Sequence, residues 1–146
     1  MSDVEGANRA DEIGNLLVRV YEIHEFVIVE TVGLPGLRDA AMLHSAVARP
    51  FATFDGHDLY ASDFAKAGAL FHSLIKNHPF MDGTKRTAFA ATLYFLQTCG
   101  YSIPFDLTAI RSLIFALQSP KRICVCLEVK VLLLATLTTS RFGFSG

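Results

Sequence analysis

Residues 62–100 read SDFAKAGALFHSLIKNHPFMDGTKRTAFAATLYFLQTCG, two periodic apolar segments joined by a short polar break. Phe64, Ala67, Leu70, Phe71, Leu74 and Ile75 recur at three- and four-residue spacing, which predicts a central core helix from a Ser62 cap to Asn77. Ala88, Ala91, Thr92, Phe95 and Leu96 repeat that spacing from about Thr84 to Cys99, and Gly100 supplies a C′ glycine. Between the two, Pro79 lacks a backbone N–H and biases His78 away from helical geometry, while Asp82-Gly83 permits a tight turn into the second helix.

Upstream, Ile13, Leu16, Leu17, Val20, Tyr21, Ile23, His24 and Val27 fit an amphipathic helix over 12–31, ended by Gly33, Pro35 and Gly36. Asp39 is placed to cap a short helix through Ala48 with Met42, Leu43 and Val47 on its buried side, and Pro50 stops it. From Pro50 to Ser62 the pattern changes to Phe51, Phe54, Leu59 and Tyr60 around Asp55-Gly56, an extended flap that doubles back on a turn. Downstream, a helix is expected over Asp106–Gln118, closed by Pro120, while 123–139 suits either a buried helix or a strand. An all-α architecture with one irregular flap follows.

The chain has 146 residues, 51% of them hydrophobic and 18% charged, which suits a single domain over 1–146 and excludes intrinsic disorder. Such a length buries roughly 68–70% of the unfolded surface, so no metal or disulfide staple is needed. Cys99, Cys124 and Cys126 are too few for a disulfide framework, and Cys-x-Cys without a second pair is not a zinc site; a reducing, cytoplasmic setting is expected.

The mean hydropathy of +0.37 raises the question of a membrane span. The uncharged stretch Thr87–Phe105 carries Thr92, Gln97, Thr98, Gly100, Tyr101, Ser102 and Pro104, unlike a spanning helix of about 20 apolar residues. Acids at Asp3, Glu5, Asp11 and Glu12 stand where a secretory signal needs positive charge, so neither membrane nor export is expected. Up to Asp63 there are 11 acids and 4 bases, and beyond it 3 acids and 9 bases. The later bases are scattered without interleaved aromatics, so nucleic acid is not the expected partner, although a small phosphate ligand is compatible.

The break between the two helices carries the chemistry. Free N–H groups of about Gly83 to Arg86 at the start of a helix favour an anion, and Lys85 and Arg86 add fixed positive charge. Asp82 offers a hard oxygen for Mg²⁺ shared with a phosphate, and His78 is the side chain best suited to proton transfer near neutral pH. From the residues alone a plainer account stands beside this one, with Asp82 capping the helix, His78 a turn histidine, and Lys85 and Arg86 solvated. His24 and His72 read as ordinary helix histidines, His44 and His57 as exposed, and Cys99 as a small apolar residue.

His78-Pro-Phe-Met-Asp-Gly-Thr-Lys-Arg86 resembles the Fic/Doc signature His-x-Phe-x-(Asp/Glu)-(Gly/Ala)-Asn, and in particular its death-on-curing (Doc) branch, where Asn-Lys-Arg-Thr follows. The likeness extends to Gly36-x-Arg38-Asp39, Ser45-Ala46, Arg49-Pro50, Thr53-Phe54-x-Gly56, Leu59-Tyr60, Lys66-Ala67, Asn77 and Gly100-Tyr101, about residues 16–118, while 121–146 diverges.

The resemblance implies a Fic/Doc-type helical bundle in which His78 is the general base, Asp82 holds Mg²⁺, and Gly83, Thr84, Lys85 and Arg86 bind nucleotide phosphates. Lys85 and Arg86 also take part in catalysis by this reading. A flap carrying Phe51, Thr53, Phe54 and Tyr60 would align the target chain, and Phe80 would anchor the loop in the core. Lys85 and Phe89 replace the second glycine and second arginine of adenylyl-transferring Fic enzymes. By resemblance, the expected reaction is therefore transfer of the γ-phosphate of ATP to a hydroxyl of elongation factor Tu by the toxin of a toxin–antitoxin pair.

Thr84 stands where the family carries asparagine, and its hydroxyl does not reproduce the amide's geometry, so weakened transfer is expected. A silent binding module and an AMP transferase are the alternatives. The self-inhibitory Ser/Thr-x-x-x-Glu-Gly/Asn pattern of some Fic enzymes is absent from the sequence, so inhibition by an antitoxin in trans is expected.

Overall fold

A computed structural model describes residues 2–102, which form four α-helices, one 3₁₀ turn and a two-stranded hairpin. Helix α1 spans Ser2–Thr31, α2 Ala40–Ala48, α3 Asp63–Asn77 and α4 Thr84–Thr98. The expected helix over Asp106–Gln118 and the segment 121–146 lie outside the described residues.

Helices α3 and α4 pack on each other along their length, with α1 against α4 and α2 against α3. Val20, Val47, Leu70, Leu74, Phe80, Ala88, Ala91 and Leu96 meet in the shared core. The caps form as the sequence predicts: Asp39 accepts from the Met42 N–H at 3.0 Å and Ser62 from the Ala65 N–H at 3.1 Å. Gly100, at φ 95°, closes α4 while the Tyr101 N–H reaches the Leu96 carbonyl at 3.2 Å.

Three expectations are corrected. Helix α1 begins at Ser2 instead of residue 12. No apolar period marks 2–11, but good helix formers such as Ala7, Arg9 and Ala10 continue the helix, and Arg9 pairs with Asp58 at 2.9 Å. Met42 is exposed, because α2 presents Leu43, Ala46 and Val47 to its neighbours and Met42 falls outside that narrow face. Tyr21 also lies at the solvent side of α1, 40% exposed.

The flap is smaller than the expected Phe51–Tyr60 segment. Strands β1 (Thr53–Phe54) and β2 (His57–Asp58) pair antiparallel, with Thr53 opposite Asp58 and Phe54 opposite His57. Asp55 and Gly56 both have positive φ, 51° and 77°, the conformation of the type I′ turn that suits a two-residue hairpin. Phe51 belongs to the 3₁₀ turn Arg49–Phe51 and packs edge-on against Phe95, so it roots the hairpin in the core.

Candidate functional site

The loop between α3 and α4 is held from two sides. On one side the segment after α1 zips onto it: the Pro79 carbonyl accepts from the Arg38 and Asp39 N–H groups at 2.7 and 3.1 Å, and the Met81 N–H donates to the Gly36 carbonyl at 3.0 Å. Phe80, fully buried, drops into the core as expected. On the other side stands the C-terminal end of α1. His24, only 2% exposed, donates from Nε2 to the Asp82 carbonyl at 2.9 Å, and its ring lies parallel to Phe80 with centroids 3.8 Å apart. Burial holds the His24 pKa below the ordinary imidazole value, favouring the neutral ring.

Pro79 ends α3 as foreseen, and His78 takes the left-handed conformation at φ 47°, ψ 58°, a region in which histidine is enriched among residues other than glycine. Its imidazole is exposed at the rim of a cavity of about 350 Å³ lined by Ile75, His78, Met81, Asp82, Gly83, Thr84, Lys85 and Arg86. The predicted base, acid and phosphate-binding residues therefore share one cavity.

Asp82 is held by three donors. Its Oδ1 accepts from the Gly83 N–H at 2.6 Å and from Arg86 Nη2 at 3.2 Å, and its Oδ2 from the Leu34 N–H at 3.2 Å. The bonds from the Leu34 and Gly83 N–H groups, joined by the Arg86 charge, hold its carboxyl below the usual carboxylate range, so it is ionised at neutral pH. Gly33 makes this approach possible: a Cβ there would lie 2.8 Å from Asp82 Oδ2 and 2.8 Å from Ile28 Cδ1. Arg86 also donates to Thr31 Oγ1, which in turn donates to the Val27 carbonyl at 2.6 Å. This tether makes Arg86 a partner of Asp82 as well as a positive charge beside the cavity, whereas Lys85 is exposed.

Helix α4 starts at Gly83, whose φ of 73° is left-handed, and the Thr87 N–H makes the first helical bond to the Gly83 carbonyl at 2.9 Å. The N–H groups of Thr84, Lys85 and Arg86 precede that first bond, as an anion at a helix start requires. Thr84 departs from the expected phosphate contact through its side chain. The residue is 4% exposed, and its hydroxyl is buried with no hydrogen-bond partner among the described residues.

The flap is not joined to this loop by any hydrogen bond or ion pair among the described residues. Asp58 is instead tied to Arg9 and Lys66 at 2.9 and 3.2 Å, and Lys66 lies about 18 Å along α3 from His78. Phe54 is 77% exposed and Thr53 is exposed beside it, while the Tyr60 hydroxyl accepts from Arg49 Nε at 2.9 Å. Of the four expected docking residues, Thr53 and Phe54 face solvent on the hairpin, and Phe51 and Tyr60 are half-buried.

His24, Thr31, Gly33 and Leu34 were not singled out for the site by the sequence. His24 alone left a signal, a polar side chain on the buried stripe of α1 with Val20 and Val27, where a buried polar group must find a partner.

A helical bundle whose short polar loop joins two core helices is a defined class: residues 17–96 match the Fic/DOC family, and the chain belongs to it. A curated relative, Toxin Doc of Mycolicibacterium smegmatis, is 45% identical over 76 residues, covering 52% of this chain and 58% of the relative. The chain thus aligns with a little over half the length of that relative. No solved structure matches it.

Proposed function

We propose that this chain is the toxin of a toxin–antitoxin pair and transfers the γ-phosphate of ATP to a hydroxyl of a protein target, elongation factor Tu by family resemblance, acting in the cytoplasm to stop translation. The observation that carries this reading is the single cavity shared by His78, ionised Asp82 and the start of α4 with Lys85. Family membership and the relative's name support the toxin role.

His78 takes the proton of the acceptor hydroxyl as its oxygen bonds to the γ-phosphorus and the bond to the bridging oxygen breaks, releasing ADP. Amides of α4 and the Lys85 ammonium hold the phosphates and offset the charge that spreads over them. Asp82 is the residue that would hold Mg²⁺, as one hard carboxylate; among the described residues no group of three His, Cys, Asp or Glu surrounds it, so water and substrate phosphate would supply the remaining ligands. Mg²⁺ bound in this way would neutralise phosphate charge. Buried Phe89, at the position where adenylyl-transferring relatives carry arginine, supports γ- over α-phosphoryl chemistry.

A second reading, a binding module without transfer, is favoured by Thr84, whose hydroxyl is buried without a partner among the described residues where the family carries an amide. Incubating the chain with elongation factor Tu and ATP labelled at the α or γ position separates the readings. Label from γ supports transfer, label from α an AMP transferase, and neither the silent module. The His78→Ala chain is expected to keep its circular dichroism and lose about 10²–10⁴ in rate; full transfer by this variant would remove His78 from the mechanism.

Inhibition in trans is part of the proposal. Val32, Leu34 and Met81 are exposed apolar residues beside the loop, and they suit an antitoxin segment that folds as an amphipathic helix on binding.

A further inference from the structure

The peptide that joins Asp82 to Gly83 is fixed at both ends. Its carbonyl points into the fold and accepts from His24 Nε2 at 2.9 Å, and its N–H donates to Asp82 Oδ1 at 2.6 Å. A peptide unit is planar, with its C=O and N–H on opposite sides, so holding the carbonyl inward turns the N–H outward. The glycine at φ 73° leaves that plane free to flip at small cost, since no Cβ opposes the rotation. In the flipped state the carbonyl would face the Asp82 carboxylate and the cavity, presenting negative charge where the N–H otherwise bonds the carboxylate.

We infer that His24 is a positioning residue that latches this peptide, keeping the N–H of Gly83 on the Asp82 carboxylate and the carbonyl away from the cavity. The inference rests on the reading of the cavity as a site for phosphates. It asks three things of His24, of which the structure shows the first and the last. The ring must be placed without freedom, and it is 2% exposed and stacked on Phe80 at an interplanar angle of 7°. It must carry a proton on Nε2, because a carbonyl can only accept. It must also come from an element outside the loop, and His24, on α1, is separated from Asp82 by 58 residues.

The test uses nuclear magnetic resonance and calorimetry on the full chain, its His24→Phe variant, which keeps the stack but has no donor, and its His24→Gln variant, whose amide nitrogen can replace Nε2. The wild-type ring is expected as the Nε2–H tautomer; a ring protonated on Nδ1 alone overturns the latch, whether or not any variant folds. Residual dipolar couplings of the Gly83 N–H are expected to change in His24→Phe and to return in His24→Gln. An unchanged Gly83 N–H in folded His24→Phe overturns the inference. Titration with MgATP is expected to show about tenfold weaker binding for His24→Phe, because the flipped carbonyl repels phosphate and the Asp82 carboxylate loses the Gly83 N–H, and near wild-type binding for His24→Gln. If the wild type binds no MgATP while the couplings still change in His24→Phe, the latch stands and the phosphate reading falls.

Discussion

At the scale of single residues, Thr84 carries the sharpest consequence. Its buried hydroxyl has no partner among the described residues, and an unmade hydrogen bond of that kind is costly. Thr84→Val, similar in shape but without the hydroxyl, is expected to be about 1 kcal/mol more stable in urea unfolding and to bind nucleotide as before. A loss of affinity would show that the hydroxyl turns toward phosphate. Thr84→Asn restores the family amide and is expected to raise nucleotide affinity or transfer rate; equal activity would show that threonine is no handicap.

His24 makes a pH-dependent contribution with a definite sign. Burial, the dominant cause, lowers its folded pKa, helped by Arg86 and opposed by the Asp82 carbonyl bond and the charges of Glu25 and Asp82. The unfolded chain therefore takes up a proton below about pH 6.5 that the folded chain refuses. This contribution is fully present above that pH and is lost as the pH falls through the folded value. Thermal midpoints between about pH 7.5 and pH 5 are expected to fall more steeply for the wild type than for His24→Gln.

At the scale of elements, the fold depends on how closely the end of α1 approaches the loop. Gly33→Ala places a methyl 2.8 Å from the Asp82 carboxylate, so the acid or the backbone must shift. A loss of about 1–3 kcal/mol with weaker MgATP binding is expected. Gly14→Ala, inside α1 with nothing within 4 Å of the added methyl, should leave binding intact and raise stability by about 0.5–1 kcal/mol. Equal effects of the two would show that contact with Asp82 does not decide the outcome.

This contact was the part of the site hidden from the sequence. Helices α3 and α4, their Ser62 and Gly100 ends and the loop between them were legible, because apolar period, caps and Pro79 are local signals. The first ten residues of α1 carried no period, and the outward turn of Met42 depended on which narrow face α2 buries. Leu34 and Gly33 touch Asp82 through backbone and bare space, which no side-chain pattern records.

At the scale of the whole molecule, the exposed apolar residues beside the loop gather from two distant segments, Val32 and Leu34 after α1 and Met81 before α4. Replacing Leu34 and Met81 together by serine is expected to weaken capture by the proposed antitoxin at least tenfold while changing stability by less than about 0.5 kcal/mol, as exposed substitutions do. Unchanged capture would place the antitoxin elsewhere.

The brace formed by His24 on Asp82 and Thr31 on Arg86 spans 58 and 55 residues of chain. Helices form from local contacts, but such long closures are completed only when the chain has collapsed around its core. A refolding chain should regain far-ultraviolet helicity before it can bind nucleotide, and binding should return in the same kinetic phase as aromatic tertiary signals. Under the function proposed above, a newly made molecule would stay inactive until its last long-range contacts close, which would give an antitoxin an interval in which to meet it.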